Sequence, residues 1–401
     1  MNSFILRRKR TIVIIIGFIL LLSMKVNAAE SSPELDNAAF LYYQAFLICP
    51  ERESFPDEFL EFGYGTADSY SRLKYDITTN ENLIRLFTRA TEIQKCDWLI
   101  QDPELGTQIR NQIATFIPLI NADARYSAVK GDYIESFEKS MTMLRFAKYL
   151  RLNSGTLFME IMGIEFNNFR CINRVLDIMP PNEKNLQYIM SLLDKEVGDF
   201  RQDLFRSVTF EEFEYLLESV RNDDRDVKVI DFVKNQLAAK ERNENERTRL
   251  RNLTDEEIIK LIRIPYENFL NSLFEIIESN IPGQEIYKKI QDLQKDFKKQ
   301  SENNPAIILD LSARSEFMNG SYNRYLTETA YYNALKAAID IYLIVAKTGQ
   351  LPGELPEGLA KDPYSGEDFE YEITDDGFTL RCREKDFEYK NVHEYEFKVK
   401  K

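Results

Sequence analysis

The chain has 401 residues, 44% of them hydrophobic and 29% charged, with 52 Lys+Arg against 66 Asp+Glu and a formal net charge of −14. That length and apolar content support a sizeable core, in two domains or one extended helical array, and exclude a disordered chain. The acidic balance repels phosphate backbones and anionic lipid, so nucleic acid is not expected as a partner.

Residues Arg7 to Arg10 form a basic n-region, Thr11 to Met24 an apolar run of 14 residues, and Val26-Asn27-Ala28 an A-x-A-like site. This is the pattern of an export signal cut between Ala28 and Ala29. The apolar run is shorter than the roughly 20 residues that span a bilayer, and no cysteine follows it to carry a lipid. An exported protein of the periplasm or cell envelope is expected, touching the membrane only through the signal segment if that segment is retained. Removal of residues 1–28 takes away five basic residues and no acidic one, leaving 47 Lys+Arg against 66 Asp+Glu and a net charge of −19.

Helical spacing then dominates. Ser31-Ser32-Pro33 opens a first helix with Leu35, Ala39, Tyr42, Phe46 and Cys49 on one stripe, ended by Pro50. The stretch from Tyr64 to Tyr75 reads as loop, and Thr78 or Thr79 caps a second helix carrying Leu83, Leu86, Phe87 and Ala90. A third helix, from about Thr107 to Val129 and kinked at Pro118, turns at Gly131-Asp132 into a return helix with Ile134, Phe137, Met141, Leu144 and Ala147 in register. From Leu157 to Met179 apolar residues surround the axis, which marks a central helix; Pro180-Pro181 stops it before a helix with Leu186, Ile189 and Leu193. Asn222 to Arg251 alternates charges and reads as a solvated helix or arm. Thr254-Asp255-Glu256-Glu257 is a capping box for a helix kinked at Pro265, and a lysine-rich helix with a narrow apolar stripe follows Pro282-Gly283.

The C-terminal stretch is the most informative. Leu335, Ile339, Tyr342 and Ala346 continue a long helix that Gly349 and Pro352 stop. The period then changes to two: Phe369, Tyr371 and Ile373, then Phe378, Leu380 and Cys382, joined by Asp375-Asp376-Gly377, form a hairpin, and Tyr395, Phe397 and Val399 fit a third strand. So small a sheet must lean on a helix. The fold class expected is therefore mainly α, a multi-helical bundle or solenoid-like array with a small C-terminal antiparallel sheet packed on a helix. Its parts are a signal peptide at 1–28, a helical domain at 29–312 and a helix-and-sheet module at 313–401.

That helix, Thr348-Gly349-Gln350-Leu351-Pro352, Asp362-Pro363-Tyr364-Ser365-Gly366 and the hairpin resemble the C-terminal soluble part of type II secretion major pseudopilins over about the last seventy residues. Pseudopilins carry a calcium loop after the second strand, where this chain has Arg383 to Glu388, and a prepilin Gly-Phe with a glutamate five residues into the mature helix, which Gly17-Phe18 lacks. Filament assembly is therefore not implied. The order of parts along most of the chain is also similar to that of a group of uncharacterised exported bacterial helical proteins, which implies no activity.

Reactive signatures are sparse. His393 is the one histidine, with no G-x-S-x-G elbow, and is expected to be an ordinary surface or strand residue. No phosphate-binding glycine loop occurs, and no cofactor or catalytic residue is expected. Asp362, Asp375 and Asp376 are where a calcium ion would bind, although turn chemistry accounts for the same residues and is preferred. Cys49 and Cys96, each ending a predicted helix, are the candidate disulfide, while Cys171 is read as core. Cys96-Asp97-Trp98 is read as a buried wedge, the alternative being a groove lining. The adjacent acidic pairs Glu211-Glu212, Asp223-Asp224, Glu256-Glu257 and Asp375-Asp376 leave open a carboxylate-dependent hydrolase of envelope polysaccharide. The function expected first is non-enzymatic: an interaction or scaffolding protein with another envelope protein as partner.

Overall fold

A computed structural model describes residues 37–50, 74–98, 103–151, 158–198, 200–202, 204, 229–240, 243–279, 281–303 and 311–400. The signal segment with Ala28 and Ala29, Ser31-Ser32-Pro33, most of the expected loop before Tyr75, Glu211-Glu212 and Asp223-Asp224 lie outside these residues. The helices in chain order are α1 (Ala38–Ile48), α2 (Glu81–Ala90), α3 (Pro103–Val129), α4 (Tyr133–Arg151), α5 (Phe158–Ile178), α6 (Glu183–Glu196), α7 (Val229–Lys240), α8 (Glu244–Arg251), α9 (Asp255–Glu278), α10 (Gly283–Asn303) and α11 (Leu311–Thr348). The strands are β1 (Glu370–Ile373), β2 (Gly377–Lys385) and β3 (Val392–Lys398). The protein is mainly helical with one small C-terminal sheet.

The termini of these helices follow local chemistry. The Asn37 side chain accepts the Ala39 N–H and so caps α1, while its amide also exchanges hydrogen bonds with the Asp97 backbone at 2.8 and 3.0 Å. The expected cap of α2 moves: Asn80 precedes the helix, residues 74–79 are already helical, and the Thr78 hydroxyl donates back to the Lys74 carbonyl at 2.7 Å. A threonine that bonds the carbonyl one turn earlier is spent inside a helix and cannot cap the next one. The Thr254 and Glu257 capping box of α9 is formed in full, and Pro118 and Pro265 both sit inside their helices.

Two apolar clusters hold the body together. In the N-terminal one, Tyr42, Tyr43, Phe46 and Phe146 surround Trp98, which stacks on Tyr42 at 5.3 Å, and Phe87 and Phe116 pack behind them. The indole is buried and donates Nε1–H to the Tyr149 carbonyl at 3.2 Å, so Trp98 wedges the first helices apart from solvent. Each such ring contributes roughly 1.5–3 kcal/mol when fully buried. Helices α3 and α4 pair antiparallel through Gly131, whose φ of +88° is the left-handed turn geometry glycine tolerates. Helix α5 packs on α3, α4, α11 and β3, as its all-round apolar character requires. It also carries Glu165, fully buried in an ion pair with Arg151 of α4.

The second cluster joins the helical body to the sheet without interruption, running from Ala128, Phe137 and Met141 through Tyr331, Leu335 and Ile339 to Phe378, Leu380 and Phe397. Helix α11 is its spine. Tyr331 stacks on Tyr395 at 4.9 Å, Tyr342 meets Phe378 edge-on, and the Tyr342 hydroxyl donates to the Lys398 carbonyl at 2.7 Å. The expected module boundary at 312/313 falls in the first turn of α11. By contrast, α8 buries none of its side chains, in keeping with its alternating charges.

The sheet is antiparallel in the order β1-β2-β3, with Phe378 opposite both Ile373 and Phe397, and Leu380 opposite both Tyr371 and Tyr395. Among the described residues no helix is long and apolar enough to cross a membrane.

Candidate functional site

In the loop after α11, the turn from Asp362 to Gly366 closes on its own first residue. The buried Asp362 carboxylate accepts hydrogen bonds from the Tyr364 N–H (3.0 Å), the Ser365 hydroxyl (2.7 Å) and the Arg383 N–H (3.0 Å), and Gly366, at φ +75°, donates to the Asp362 carbonyl at 2.8 Å. Both carboxylate oxygens thus serve the turn. The loop in turn seats α10: the Gly283 N–H donates to the Pro363 carbonyl at 3.3 Å, and a Cβ on Gly283 would stand 2.7 Å from that oxygen. Asp375 and Asp376 are exposed in the hairpin turn, Asp376 paired with Lys398 at 3.0 Å. Among the described residues no three potential metal ligands gather.

Asp386 repeats the device in the β2–β3 connection. Its carboxylate accepts the N–H groups of Glu388, Tyr389, Lys390 and Asn391, and Lys390 adopts the left-handed φ of 59° to allow it. His393 lies beside it in β3, its ring stacked on Tyr364 at 5.7 Å, with Nε2 3.3 Å from the Tyr364 hydroxyl and 3.8 Å from Asp386 Oδ2. Burial lowers the His393 pKa below its usual value, against the raising pull of Asp386 and Asp362. Burial raises that of Tyr364, whose hydroxyl also meets Thr327 of α11 at 2.9 Å. The imidazole is neutral near pH 7 and its phenol neighbour fully buried, so the trio fastens α11 to the sheet. Residues 364, 386 and 393 carry no shared sequence spacing; only the two Asp-led turns hint that something is anchored there.

Cys49 and Cys96 adjoin the same N-terminal cluster but are free thiols in this structure, so the disulfide expected between them is not formed. Burial pushes both up to about 12 and Cys171 to about 11, which keeps them as protonated thiols rather than nucleophilic thiolates. Glu257 of the Glu256-Glu257 pair is used in its helix cap. Burial raises the carboxyls of Asp123, Asp177 (to about 6) and Asp340, on three different helices. Asp123 pairs with Lys139 at 2.8 Å, Asp177 accepts the Lys398 N–H at 2.9 Å, and Asp340 is eased by Lys336.

The outer surface of the sheet has a different character. Alternation sends Phe369, Tyr371, Phe378, Leu380, Tyr395 and Phe397 inward and leaves Glu370, Glu372, Thr379, Arg381, Glu394 and Glu396 outward. In register, Arg381 stands between Glu370 and Glu394 and bonds Glu394 through Nε at 2.7 Å, while Thr379 stands between Glu372 and Glu396. A shallow groove of about 330 Å³ opens here, lined by Glu370, Tyr371, Glu372, Thr379 and Arg381. Compared with known protein families, curated proteins and solved structures, the chain matches none.

Proposed function

We propose that the protein is an exported envelope component that acts by binding another envelope protein, as a scaffold or interaction module, and not by catalysis. The observation that carries this reading is the uninterrupted apolar core from the helical body through α11 into the sheet. It makes a stiff platform that holds a sheet face toward solvent. The basic n-region, apolar run and Ala28-Ala29 site support export. The resemblance of the last seventy or so residues to pseudopilin modules supports a role among envelope assemblies, with the Asp386 turn standing where those proteins bind calcium. The hydrolase alternative asks for two carboxyls facing across a cleft; Asp123, Asp177 and Asp340 sit on three different helices, Asp123 paired with Lys139, Asp177 accepting the Lys398 N–H, and Asp340 under the charge of Lys336, which itself pairs with Asp194.

Photo-crosslinking residues placed on the sheet face and on α4, α6 and α9 in intact cells test the proposal. Repeated capture of one envelope protein supports it. Failure to capture any protein from any position, together with hydrolysis of cell-wall glycan by the purified protein, overturns it. Fractionation with N-terminal sequencing checks the export half, with Ala29 expected as the first mature residue.

A further inference from the structure

Strand β1 is a sheet edge with open hydrogen-bonding groups. The Thr374 N–H donates to the Gly377 carbonyl at 2.9 Å, which fixes Thr374 and Gly377 as a hydrogen-bonded pair. Alternation along an antiparallel ladder then makes Glu372 with Thr379, and Glu370 with Arg381, bonded pairs as well. Tyr371 and Ile373 are the non-bonded positions, so their N–H and C=O groups point away from β2. Among the described residues no backbone hydrogen bond reaches them. The Tyr371 ring is held half-buried by Phe378 and by its hydroxyl bond to the Pro352 carbonyl at 3.0 Å, so the edge is rigid. Ile373, on the inward side of the alternation, is 48% exposed at the strand end.

The side chains along this edge specify what fits it. Glu370 and Glu372 flank the groove on the outward side, and no ion pair is formed by either or by Glu396 among the described residues, since Arg381 is engaged by Glu394. We infer that β1 accepts an added strand from a partner protein, an extended segment in which Lys or Arg alternates with β-branched apolar residues. In that register the basic side chains lie beside Glu370 and Glu372, and the apolar ones cover Ile373 and extend the inward face past Tyr371. Backbone bonds to Tyr371 and Ile373 hold the segment, while the glutamates choose it. A second copy of this chain is disfavoured at the same edge, because it would set glutamate against glutamate. This inference rests on the binding role proposed above and names the partner's chemistry.

The test uses the full mature chain and a synthetic octapeptide alternating Val and Lys. Three control peptides have Glu for Lys, a central Pro, or N-methyl groups on the amides that would face β1. The Val/Lys peptide is expected to bind with an affinity that falls with salt, and the three controls to bind at least tenfold more weakly. Glu370→Lys with Glu372→Lys should weaken the Val/Lys peptide by at least tenfold. Ile373→Pro removes an outward N–H that β2 does not use, which an edge strand tolerates, and should abolish binding with the melting temperature unchanged. If Ile373→Pro unfolds the sheet, the N-methylated peptide decides the same point. Absence of Val/Lys binding, or equal binding of the N-methylated peptide, overturns strand addition. Should crosslinks from the helices still capture an envelope protein in that case, the binding role stands without this edge; if none is captured anywhere, both fall.

Discussion

Asp177 lies near the C-terminal end of α5, where it accepts the Lys398 N–H at 2.9 Å. Burial pushes its pKa from 3.8 up to about 6, an effect to which Asp376 adds and which the Lys398 bond, the Lys398 charge and Arg174 only partly offset. The folded state therefore holds this proton more tightly than the unfolded chain does. Between about pH 4 and 6 folding takes up a proton, so stability falls as pH rises through that window, and the full cost of burying the charge is present above it. A shift of about two units corresponds to ~3 kcal/mol; with the carboxyl only partly shielded from solvent, about 1–2 kcal/mol is the appropriate figure. Asp177→Asn keeps the acceptor for Lys398 and removes the charge. The variant should be more stable than the parent by about 1–2 kcal/mol in urea titrations near pH 7.5, and equal to it near pH 4. Comparing the two proteins at each pH cancels every other titrating group. If the attraction of Lys398 and Arg174 outweighs burial, the sign reverses and the variant is less stable near pH 7.5. That outcome would refute the reasoning.

Asp386→Ala removes one carboxylate that accepts four backbone N–H groups. A loss of about 2–4 kcal/mol is expected, together with rapid hydrogen exchange at residues 388–391; unchanged protection there would show that water replaces the carboxylate without cost. A Cβ on Gly377 would stand 1.9 Å from the Phe397 carbonyl oxygen. Gly377→Ala should accordingly push β2 from β3 and cost at least ~2 kcal/mol, read by near-UV circular dichroism and urea midpoint. Cys171, fully buried and pushed up to about 11, should react with iodoacetamide roughly a hundredfold or more slowly in the folded protein than in urea, as followed by mass spectrometry. Equal rates would mean that the α5 environment opens readily.

Much of the local structure was legible because it is written in short-range chemistry. The capping box at Thr254 and Glu257, the glycine turn at Gly131, the stops at Pro180 and Pro352 and the switch to period two after Phe369 each depend on residues within a few positions of one another. The all-round apolar character of α5 likewise foretold a helix with neighbours on every side. Where local signals competed, they misled: Thr78 suggested a cap yet bonds back inside a helix. Helix α11 runs back to Leu311, well before the apolar stripe that announced it.

What the tertiary structure alone decided is which distant groups meet. Asp177 and Lys398 are 221 positions apart, and Tyr364 finds Thr327 on one side and His393 on the other only when the sheet lies on α11. Periodicity tells which face of a helix or strand seeks cover, but every apolar face is acceptable cover for every other, so choosing between them requires shape and register along the whole chain. The candidate surface belongs to this second kind. Alternation in the sequence marked Glu370 and Glu372 as outward, while the open edge beside them exists because folding placed β1 at the end of the order, with no strand on its far side among the described residues.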